Sequence, residues 1–283
     1  MSRFRKNILL PIVAFATAFT TGCYEPSNFN AFGDGERVVV IEGRVTDADS
    51  VSTVVVTRTV DALNDSDCEF VNDAIVYLRD DQGNSAQLQS AGNGVYRTAE
   101  IDGTVGTRYL LTVEVDGDHY SSIDKMPPQV LIDSMVVEYR DNYTIFDTIG
   151  YYVSIYTRRN NDSAQFYRVE IEKNGTMLND GLSLWLYQDS HLSDIYKMTI
   201  PHTFFIGDSV VVGVYSLSAN TYEYFSGLSK QFSTIYSNIQ PPLTNPKTNI
   251  LPSALGCFQA SSVIRTRFVI GNARRKVVMV AAD

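Results

Sequence analysis

The sequence predicts a mainly β protein with two β-sandwich-like domains, the second of which carries one amphipathic helix. Hydrophobic residues make up 44% and charged residues 19% of the 283-residue chain, which is typical of a globular protein. From Arg37 onward, short β-branched and aromatic runs alternate with polar residues at period two. Clusters of Gly, Asn and Asp separate these runs and predict the turns of antiparallel sheets.

The first domain is predicted to span residues 37–126. Its turns include Gly92-Asn93-Gly94 and Asp116-Gly117, whose residues tolerate positive φ. Seven short strands in fewer than 90 residues predict a small Ig-like or transthyretin-like sandwich. The predicted strands are 38–46, 52–59, 74–79, 86–89, 95–98, 109–115 and 119–123.

The second domain is predicted to span residues 127–283. Pro127 and Pro128 mark its beginning, because neither residue can donate a hydrogen bond to a sheet. The strands that follow are longer, and their interleaved Tyr and Val residues suit half-buried sheets. The predicted strands are 130–139, 150–157, 165–173, 183–187, 209–216, 262–270 and 276–280.

One segment of the second domain has helical periodicity. Apolar residues recur every three or four positions, which predicts an amphipathic helix over 221–236. Asn220 and Glu223 have the spacing of a capping box. The apolar stripe could seat a partner or a membrane surface, but we expect it to pack on its own sheet. Its members are Tyr222, Phe225, Leu228, Phe232 and Ile235.

The first 23 residues have the layout of a secretory signal peptide. Arg3, Arg5 and Lys6 precede an apolar stretch over 8–19, and small residues end at Gly22-Cys23. This arrangement resembles a bacterial lipoprotein signal, in which the Cys thiol receives a diacylglycerol and the new amino terminus receives an acyl chain such as palmitate. The resemblance implies removal of residues 1–22 and lipidation of Cys23. Residues 24–36 are rich in Gly, Asn, Ser and Pro without apolar periodicity, which predicts a tether over 23–36. Several acyl chains together would make an effectively permanent membrane anchor.

The net charge argues against nucleic-acid binding, and the length of the apolar stretch argues against a membrane-spanning helix. Lys and Arg total 23 against 32 Asp and Glu, a formal charge of −9, so we expect no binding of nucleic acid. The apolar stretch over 8–19 is shorter than the roughly 18 residues that a spanning helix needs. We therefore expect a protein that lies on a membrane through its lipid rather than one that crosses it.

The sequence lacks the motifs that are typical of common catalytic and nucleotide-binding sites. The His-Glu-x-x-His, Gly-x-Ser-x-Gly, phosphate-loop and dinucleotide-binding patterns are all absent. We therefore predict no enzyme activity, no cofactor and no catalytic residues. A hydrolase without a recognisable motif is kept as a remote alternative.

Few residues suggest a metal site or a disulfide. His119, His191 and His202 show no ligand spacing with the cysteines, so no metal site is predicted. The acidic group Asp61, Asp65, Asp67 and Glu69 could surround calcium, but a solvated connection between strands is favoured. If Cys23 carries lipid, Cys68 and Cys257 remain. They could form one disulfide in an exported protein, or each could be a small apolar residue of the core.

Tyrosine is abundant in the second domain. Its alternation suits strands, while a rigid ring with a polar tip also suits interfaces and sugar stacking. We favour the strand interpretation and expect some rings to be exposed. The residues concerned are Tyr139, Tyr143, Tyr151, Tyr152, Tyr156, Tyr167, Tyr187, Tyr196 and Tyr215.

A series of short motifs follows one another in a characteristic order. The motifs occupy residues 39–46, 72–78, 94–96, 106–113, 132–134, 245–250 and 254–256. Together they resemble a family, a domain of unknown function, that is found in Gram-negative lipoproteins and often encoded beside TonB-dependent outer-membrane receptors. The first-domain motifs also resemble carboxypeptidase-regulatory or transthyretin-like sandwiches, which are usually scaffolds.

The resemblance implies a function at the outer membrane. We expect a lipid-anchored accessory protein that binds a TonB-dependent receptor or its cargo in nutrient uptake. The alternative is a surface adhesin or pilus-like subunit, which would assemble through an exposed strand edge. The surface and periplasmic faces of the membrane are both left open.

Overall fold

Strands dominate the computed structural model, which describes residues 37–60, 68–141, 148–158, 165–179, 184–189, 195–235, 245–252 and 254–278. The predicted mainly β, sandwich-like fold class is confirmed, with one helix among these residues. In chain order the elements are β1 (Val39–Thr46), β2 (Ser52–Arg58), β3 (Glu69–Phe70), β4 (Ile75–Asp80), β5 (Ser85–Gln87), β6 (Gln89–Gly92), β7 (Val95–Thr98), β8 (Arg108–Val115), β9 (Asp118–Lys125), β10 (Leu131–Arg140), β11 (Gly150–Arg158), β12 (Phe166–Lys173), β13 (Thr176–Met177), β14 (Trp185–Gln188), β15 (Ile195–Thr199), β16 (Ser209–Leu217), α1 (Ala219–Ile235), β17 (Ile250–Leu251), β18 (Leu255–Ser261), β19 (Val263–Val269) and β20 (Arg275–Val278).

The first sandwich encloses its core between two sheets. Sheet 1 has the order β18-β1-β2-β7-β6, with β3 beside β2, and sheet 2 has the order β17-β9-β8-β4-β5. Ile41 and Val54 of sheet 1 share this core with Leu78 and Leu111 of sheet 2. The seven predicted strands are present with small shifts of their ends, except that the predicted strand 86–89 is divided between β5 and β6.

Two strands from the C-terminal part of the chain complete the first sandwich. β18 pairs in parallel with β1, and β17 pairs antiparallel with β9. Phe258 of β18 is fully buried in the first core. The assignment of every residue from 127 to 283 to the second domain is therefore wrong for residues 250–261. Both strands escaped the sequence analysis because they lack alternation of polar and apolar residues.

The second sandwich has its own core between two further sheets. Sheet 3 has the order β15-β11-β10-β20, and sheet 4 the order β13-β12-β16-β19 with β14 also beside β12. Met135 and Ile155 of sheet 3 share the core with Ile171 and Val212 of sheet 4. Here β13 and β15 are strands that the sequence analysis did not predict.

The predicted helix is present but begins earlier than expected. It starts at Ala219, and the Oγ atom of Ser218 accepts a hydrogen bond from the backbone N–H of Thr221 at 3.2 Å. Ser218 is thus the N-terminal cap, and the capping box predicted from Asn220 and Glu223 is wrong. Tyr222 stacks on Phe166 of β12, so the helix packs on its own sheet as expected.

A junction of hydrogen bonds joins the two sandwiches. Only Ser262 separates β18 of the first sandwich from β19 of the second. The loop after β1 contacts β19 at two points: Val263 N donates to Asp47 Oδ1 at 2.7 Å, and Arg265 donates to both carboxylate oxygens of Asp49 at 2.7 and 3.2 Å.

Of the helices in the described part of the chain, none is long and apolar enough to cross a membrane.

Candidate functional site

A buried carboxyl group lies where β9, α1 and β18 meet. Oδ2 of Asp124 accepts hydrogen bonds from the backbone N–H of Ala260 at 2.9 Å and from the hydroxyl of Thr221 at 3.0 Å. The side chain is almost completely buried, and this desolvation raises the pKa of Asp124. Asp124 therefore ties three chain segments together.

The thiol of Cys257 lies in the same junction. Burial raises the pKa of Cys257 to about 12, so the thiol stays protonated and is a poor nucleophile. Cys68, by contrast, is exposed just before β3. Both thiols are free, so the structure does not contain the disulfide that the sequence left open. Cys257 instead fits the alternative of a small apolar residue of the interior.

Arg168 of β12 is a mostly buried cation of the junction. Its guanidinium lies over the ring of Phe225 at 4.5 Å and near that of Tyr215 at 5.2 Å, and it pairs with Glu170 at 2.5 Å. Desolvation lowers the pKa of Arg168, but a guanidinium still remains charged at neutral pH. Arg168 thus joins α1 to sheet 4 by charge and by stacking.

A half-open groove lies beside this junction, between the start of α1 and the edge of sheet 2. Its volume is about 330 Å³. Ile123 and Leu251 supply exposed aliphatic surface, and Glu223 and Lys247 form an ion pair of 2.8 Å across the groove lining. The lining residues are Ser121, Ser122, Ile123, Asn220, Glu223, Lys247, Thr248, Asn249 and Leu251.

The groove wall formed by residues 247–251 is held in place by side-chain hydrogen bonds. Asn249 accepts from the backbone N–H of Phe258 at 2.9 Å and donates to its carbonyl oxygen at 2.7 Å. Ser122 donates to the carbonyl oxygen of Asn249 at 2.8 Å. The groove is therefore built on the same segment that fixes β18 in the first sandwich.

The groove opens onto the outer face of sheet 2. Leu251 is paired with Ser121, which is paired with Thr112, and Thr112 with Tyr77, so these residues form one row across the sheet. Tyr77 and Leu251 are both exposed. The row offers hydroxyl groups and apolar surface side by side, which suits a polar, uncharged ligand with an apolar edge.

Most predicted site residues lie elsewhere or outside the described part of the chain. Cys23 and the acidic residues 61, 65 and 67 lie outside it. Glu69 forms ion pairs with Arg37 and Arg58. No group of three or more His, Cys, Asp or Glu residues that could hold a metal ion occurs among the described residues.

The tyrosine expectation is corrected in one respect. Of the tyrosines singled out in the second domain, those in the described ranges are buried or half-buried, and the exposed rings that we expected are not among them. Tyr167 and Tyr215 are almost fully buried in or beside the second core. Their alternation therefore reflects strand packing, as the favoured interpretation predicted.

One family model matches most of the chain. The model of a domain of unknown function, DUF4249, matches residues 26–267. The chain belongs to this family. No curated protein matches it significantly. The DUF4249 match begins after Cys23, so the lipid anchor remains a prediction from the signal sequence.

Sequence analysis singled out part of the groove without assigning it to a site. Residues 245–250 carried the family resemblance, and they include Lys247 and Asn249 of the groove. The wall from β9 was not recognisable, because its contact with residue 249 joins positions 127 residues apart. A sequence pattern reports neighbours along the chain, and this groove depends on neighbours in space.

Proposed function

We propose that this protein is a lipid-anchored binding protein of the outer membrane, which binds a TonB-dependent receptor or its cargo in nutrient uptake. The lipoprotein signal ending at Cys23 and the family resemblance support the location and the receptor. The structural observation that carries a binding role is the groove of about 330 Å³ beside α1. The proposal makes the protein a binder rather than an enzyme.

The groove has the properties of a cargo site. Its volume lies within the range of about 300 to 1,000 Å³ that is usual for small-molecule sites. Asn220 and Ser121 offer an amide and a hydroxyl, while Ile123 and Leu251 offer apolar contact. Because Asn249 is fixed by two hydrogen bonds to Phe258, this wall of the groove is formed before a ligand arrives.

The proposed anchor allows the sandwiches to stand away from the membrane. The tether between Cys23 and Arg37 spans 14 residue steps in the sequence and reaches at most about 50 Å when fully extended. The folded part can therefore reach a receptor at the membrane while it remains attached.

The proposal is tested by purifying the tagged full-length protein from detergent-solubilised outer membranes and identifying its stoichiometric partners by mass spectrometry. A co-purifying TonB-dependent receptor supports the proposal. Recovery of the protein alone contradicts the receptor role, and a ladder of self-assemblies favours the pilus-like alternative. Cys23→Ser is the control for the anchor, and it should abolish palmitate incorporation and release the protein from the membrane fraction.

The cargo role is tested separately at the groove. Leu251→Glu places a charge in the groove, and Leu131→Glu is the matched control at an exposed leucine of β10. Native mass spectrometry of the proteins purified from growing cells should show a small-molecule adduct on the unmodified chain and on Leu131→Glu, and its loss from Leu251→Glu. Equal adducts on all three proteins would remove the groove from the proposal.

A further inference from the structure

An exposed apolar surface lies at the end of the second sandwich that is farthest from the junction. It consists of Ile149, Phe205 and Ile206, which are 46%, 57% and 64% exposed, and we call it the apolar tip. Ile149 directly precedes β11, and the other two residues lie in the loop before β16. Adjacent exposed Phe and Ile side chains are unfavourable in water unless another surface covers them.

The loop that carries the apolar tip is fixed by hydrogen bonds on both sides. Phe204 is buried and exchanges two backbone hydrogen bonds with Tyr151, of 2.8 and 2.9 Å. Phe205 N donates to Asp208 Oδ2 at 2.8 Å, and Asp208 N donates back to the carbonyl oxygen of Phe205 at 3.0 Å. The backbone that presents the two apolar side chains is thus ordered in advance, which lowers the entropy cost of docking.

Basic residues border the apolar tip along the end of sheet 3. Arg140 of β10 is paired with Gly150, the neighbour of Ile149, and β20 begins beside β10 at Arg275. Two strand spacings separate Gly150 from β20, about 10 Å. The basic edge consists of Arg140, Arg274, Arg275 and Lys276.

The basic edge is an exception in an acidic chain. The whole sequence carries a formal charge of −9, whereas Arg274, Arg275 and Lys276 are consecutive and exposed. Among the described residues, two carboxylates lie beside these cations. Asp141 is 3.9 Å from Arg274, and Glu138 is paired with Arg275 in the sheet. The three consecutive cations, without Arg140, outnumber these two described carboxylates, so the complement of this edge is an acidic surface.

The apolar tip and the start of β1 lie at opposite ends of the two sandwiches. β1 runs from Val39 towards the junction, where Asp47 follows it and contacts Val263. β19 then runs from Val263 away from the junction and ends at Val269, beside the loop of the tip. Val39 and the apolar tip therefore lie at the ends of the two sandwiches that face away from the junction.

We infer that the apolar tip docks into an apolar pocket of a protein partner and that carboxylates around this pocket meet the basic edge. An exposed aromatic and aliphatic pair on a rigid loop is typical of an interface hot spot, and the surrounding charges select the partner. Where that partner is the receptor, the inference rests on the proposed function. Docking of the tip on a lipid surface is an alternative outcome that the experiments below distinguish.

The inference is tested by placing a photo-activated crosslinking amino acid at Ile206 of the full-length protein in its native cells. The matched control position is Val105, which is exposed on the first sandwich and lies outside the groove lining. We expect position 206 to crosslink to one protein, at a segment where Asp or Glu flank apolar residues, and position 105 to leave that segment unlabelled. Crosslinks to lipid alone, to a second copy of this chain, or equally from both positions would overturn the inference.

Variants distinguish this inference from the proposed function. Ile206→Glu should weaken partner binding by at least about 30-fold, as expected for a hot-spot residue. Arg275→Glu should weaken it less, and Leu131→Glu should leave it unchanged. A receptor that co-purifies equally with Ile206→Glu overturns the docking site and leaves the proposed function standing. A different protein, crosslinked at 206 through an acidic apolar segment, supports the docking site while the receptor proposal fails.

The lipid alternative has its own measurement. Cys23→Ser protein, which would lack the anchor, is mixed with vesicles that contain one-third anionic phospholipid. The inference expects no sedimentation with these vesicles at physiological ionic strength. Sedimentation that Ile206→Glu abolishes would make the apolar tip a membrane contact and overturn the protein-docking inference.

Discussion

β8 and β18 both belong to the first sandwich, yet their burial patterns differ. β8 alternates along its length between buried residues and residues that are exposed or half-buried, whereas β18 is buried at every position after Leu255. The outer face of β8 is open to solvent, while β18 lies in the junction with α1 and the second sandwich. Alternation of polar and apolar residues therefore indicates that only one face of a strand is buried. It disappears in a strand whose two faces are both buried.

β16 shows the same contrast within one strand. Its first residues alternate between buried and half-buried, and every residue from Val212 to Leu217 is buried. This second half leads into α1, on the side of the sandwich that carries the junction. The junction thus behaves as interior in both sandwiches, and substitutions there should cost more than equivalent substitutions on open strands.

The largest effect is expected for Gly256→Ala in β18. Gly256 has a φ of +96°, and an added Cβ would lie 2.0 Å from the carbonyl oxygen of Ile41 in β1. The variant must therefore displace β18, and Phe258 with it, from the first core. We expect a loss of at least about 4 kcal/mol in the free energy of unfolding by urea, or failure to fold.

Gly117→Ala is the matched control for this substitution. Gly117 has a similar φ of +88°, but no atom lies within 4 Å of an added Cβ. The cost should be only the backbone strain of about 1 to 2 kcal/mol. Equal losses for the two variants would show that the close contact between β1 and β18 does not limit stability.

The next effect concerns the coupling of the two cores. Phe258→Ala removes a fully buried ring from the first core, and Phe268→Ala removes a mostly buried ring from the second. Each should cost about 3 to 5 kcal/mol. Trp185 is the single tryptophan of the chain and packs against the second core, so its fluorescence reports on the second sandwich.

We expect the two sandwiches to unfold together, because the contacts of Asp124 with Thr221 and of Arg265 with Asp49 join them. The Trp185 transition should then shift as far for Phe258→Ala as for Phe268→Ala, and it should coincide with the transition in circular dichroism. An unchanged Trp185 transition in Phe258→Ala would show that the junction does not couple the cores.

A smaller effect is expected from the charge of Asp124. Because burial raises its pKa, the folded state binds a proton more tightly than the unfolded chain does. The native protein therefore loses stability as the pH rises from about 4 through the raised pKa, by about 1.4 kcal/mol for each unit by which the pKa is raised. Asp124→Asn should abolish this loss, so its stability relative to the native protein should increase over that range.

Urea unfolding at several pH values measures this difference. Asp118→Asn, on the exposed end of the same strand β9, controls for the removal of one negative charge. A constant difference between Asp124→Asn and the native protein across the range would contradict a raised pKa of Asp124.

The smallest effect is expected from Asp49, the other carboxyl group of the junction. Its hydrogen bonds from Arg265 lower the pKa of Asp49, so its contribution is present above about pH 4 and is lost as the pH falls through the lowered pKa. About a third of each side chain is exposed, so Asp49→Asn should cost only about 0.5 to 1 kcal/mol at neutral pH. Thermal unfolding measures it, and a loss above about 3 kcal/mol would contradict the exposed character of this pair.

Sequence reasoning succeeded where one face of a strand meets water. β7 was predicted with both of its ends, and β11 and β12 to within one residue. It failed at β18, whose run Gly256-Cys257-Phe258-Gln259 mixes apolar and polar residues without a period because both faces are covered. The burial of Asp124 was not predictable for a related reason. Its position in β9 is covered only by Ala260 and Thr221, which are distant in the sequence.

The two candidate surfaces were predictable to different degrees. Residues 245–250 carried the family resemblance and form part of the groove, although no local pattern marks them as a wall. Phe205 and Ile206 are an apolar pair in the sequence, but the sequence alone does not distinguish the end of a buried strand from an exposed loop. Their exposure depends on how the loop is held by Asp208 and by the buried Phe204, which is a property of the folded chain.

The parallel pairing of β1 with β18 has a consequence for the order in which the chain matures. A ribosome or a secretion channel delivers residue 45 more than 200 positions before its partner at residue 260. During that interval β1 is a bare strand edge, and the first core lacks Phe258. The usual sequence of events, in which the N-terminal domain folds while the rest is still being made, cannot be completed here. The first sandwich, whose strands are made first, is therefore completed only when β18 has been made. Until then the unpaired edge of β1 is the part of the molecule most in need of protection from aggregation.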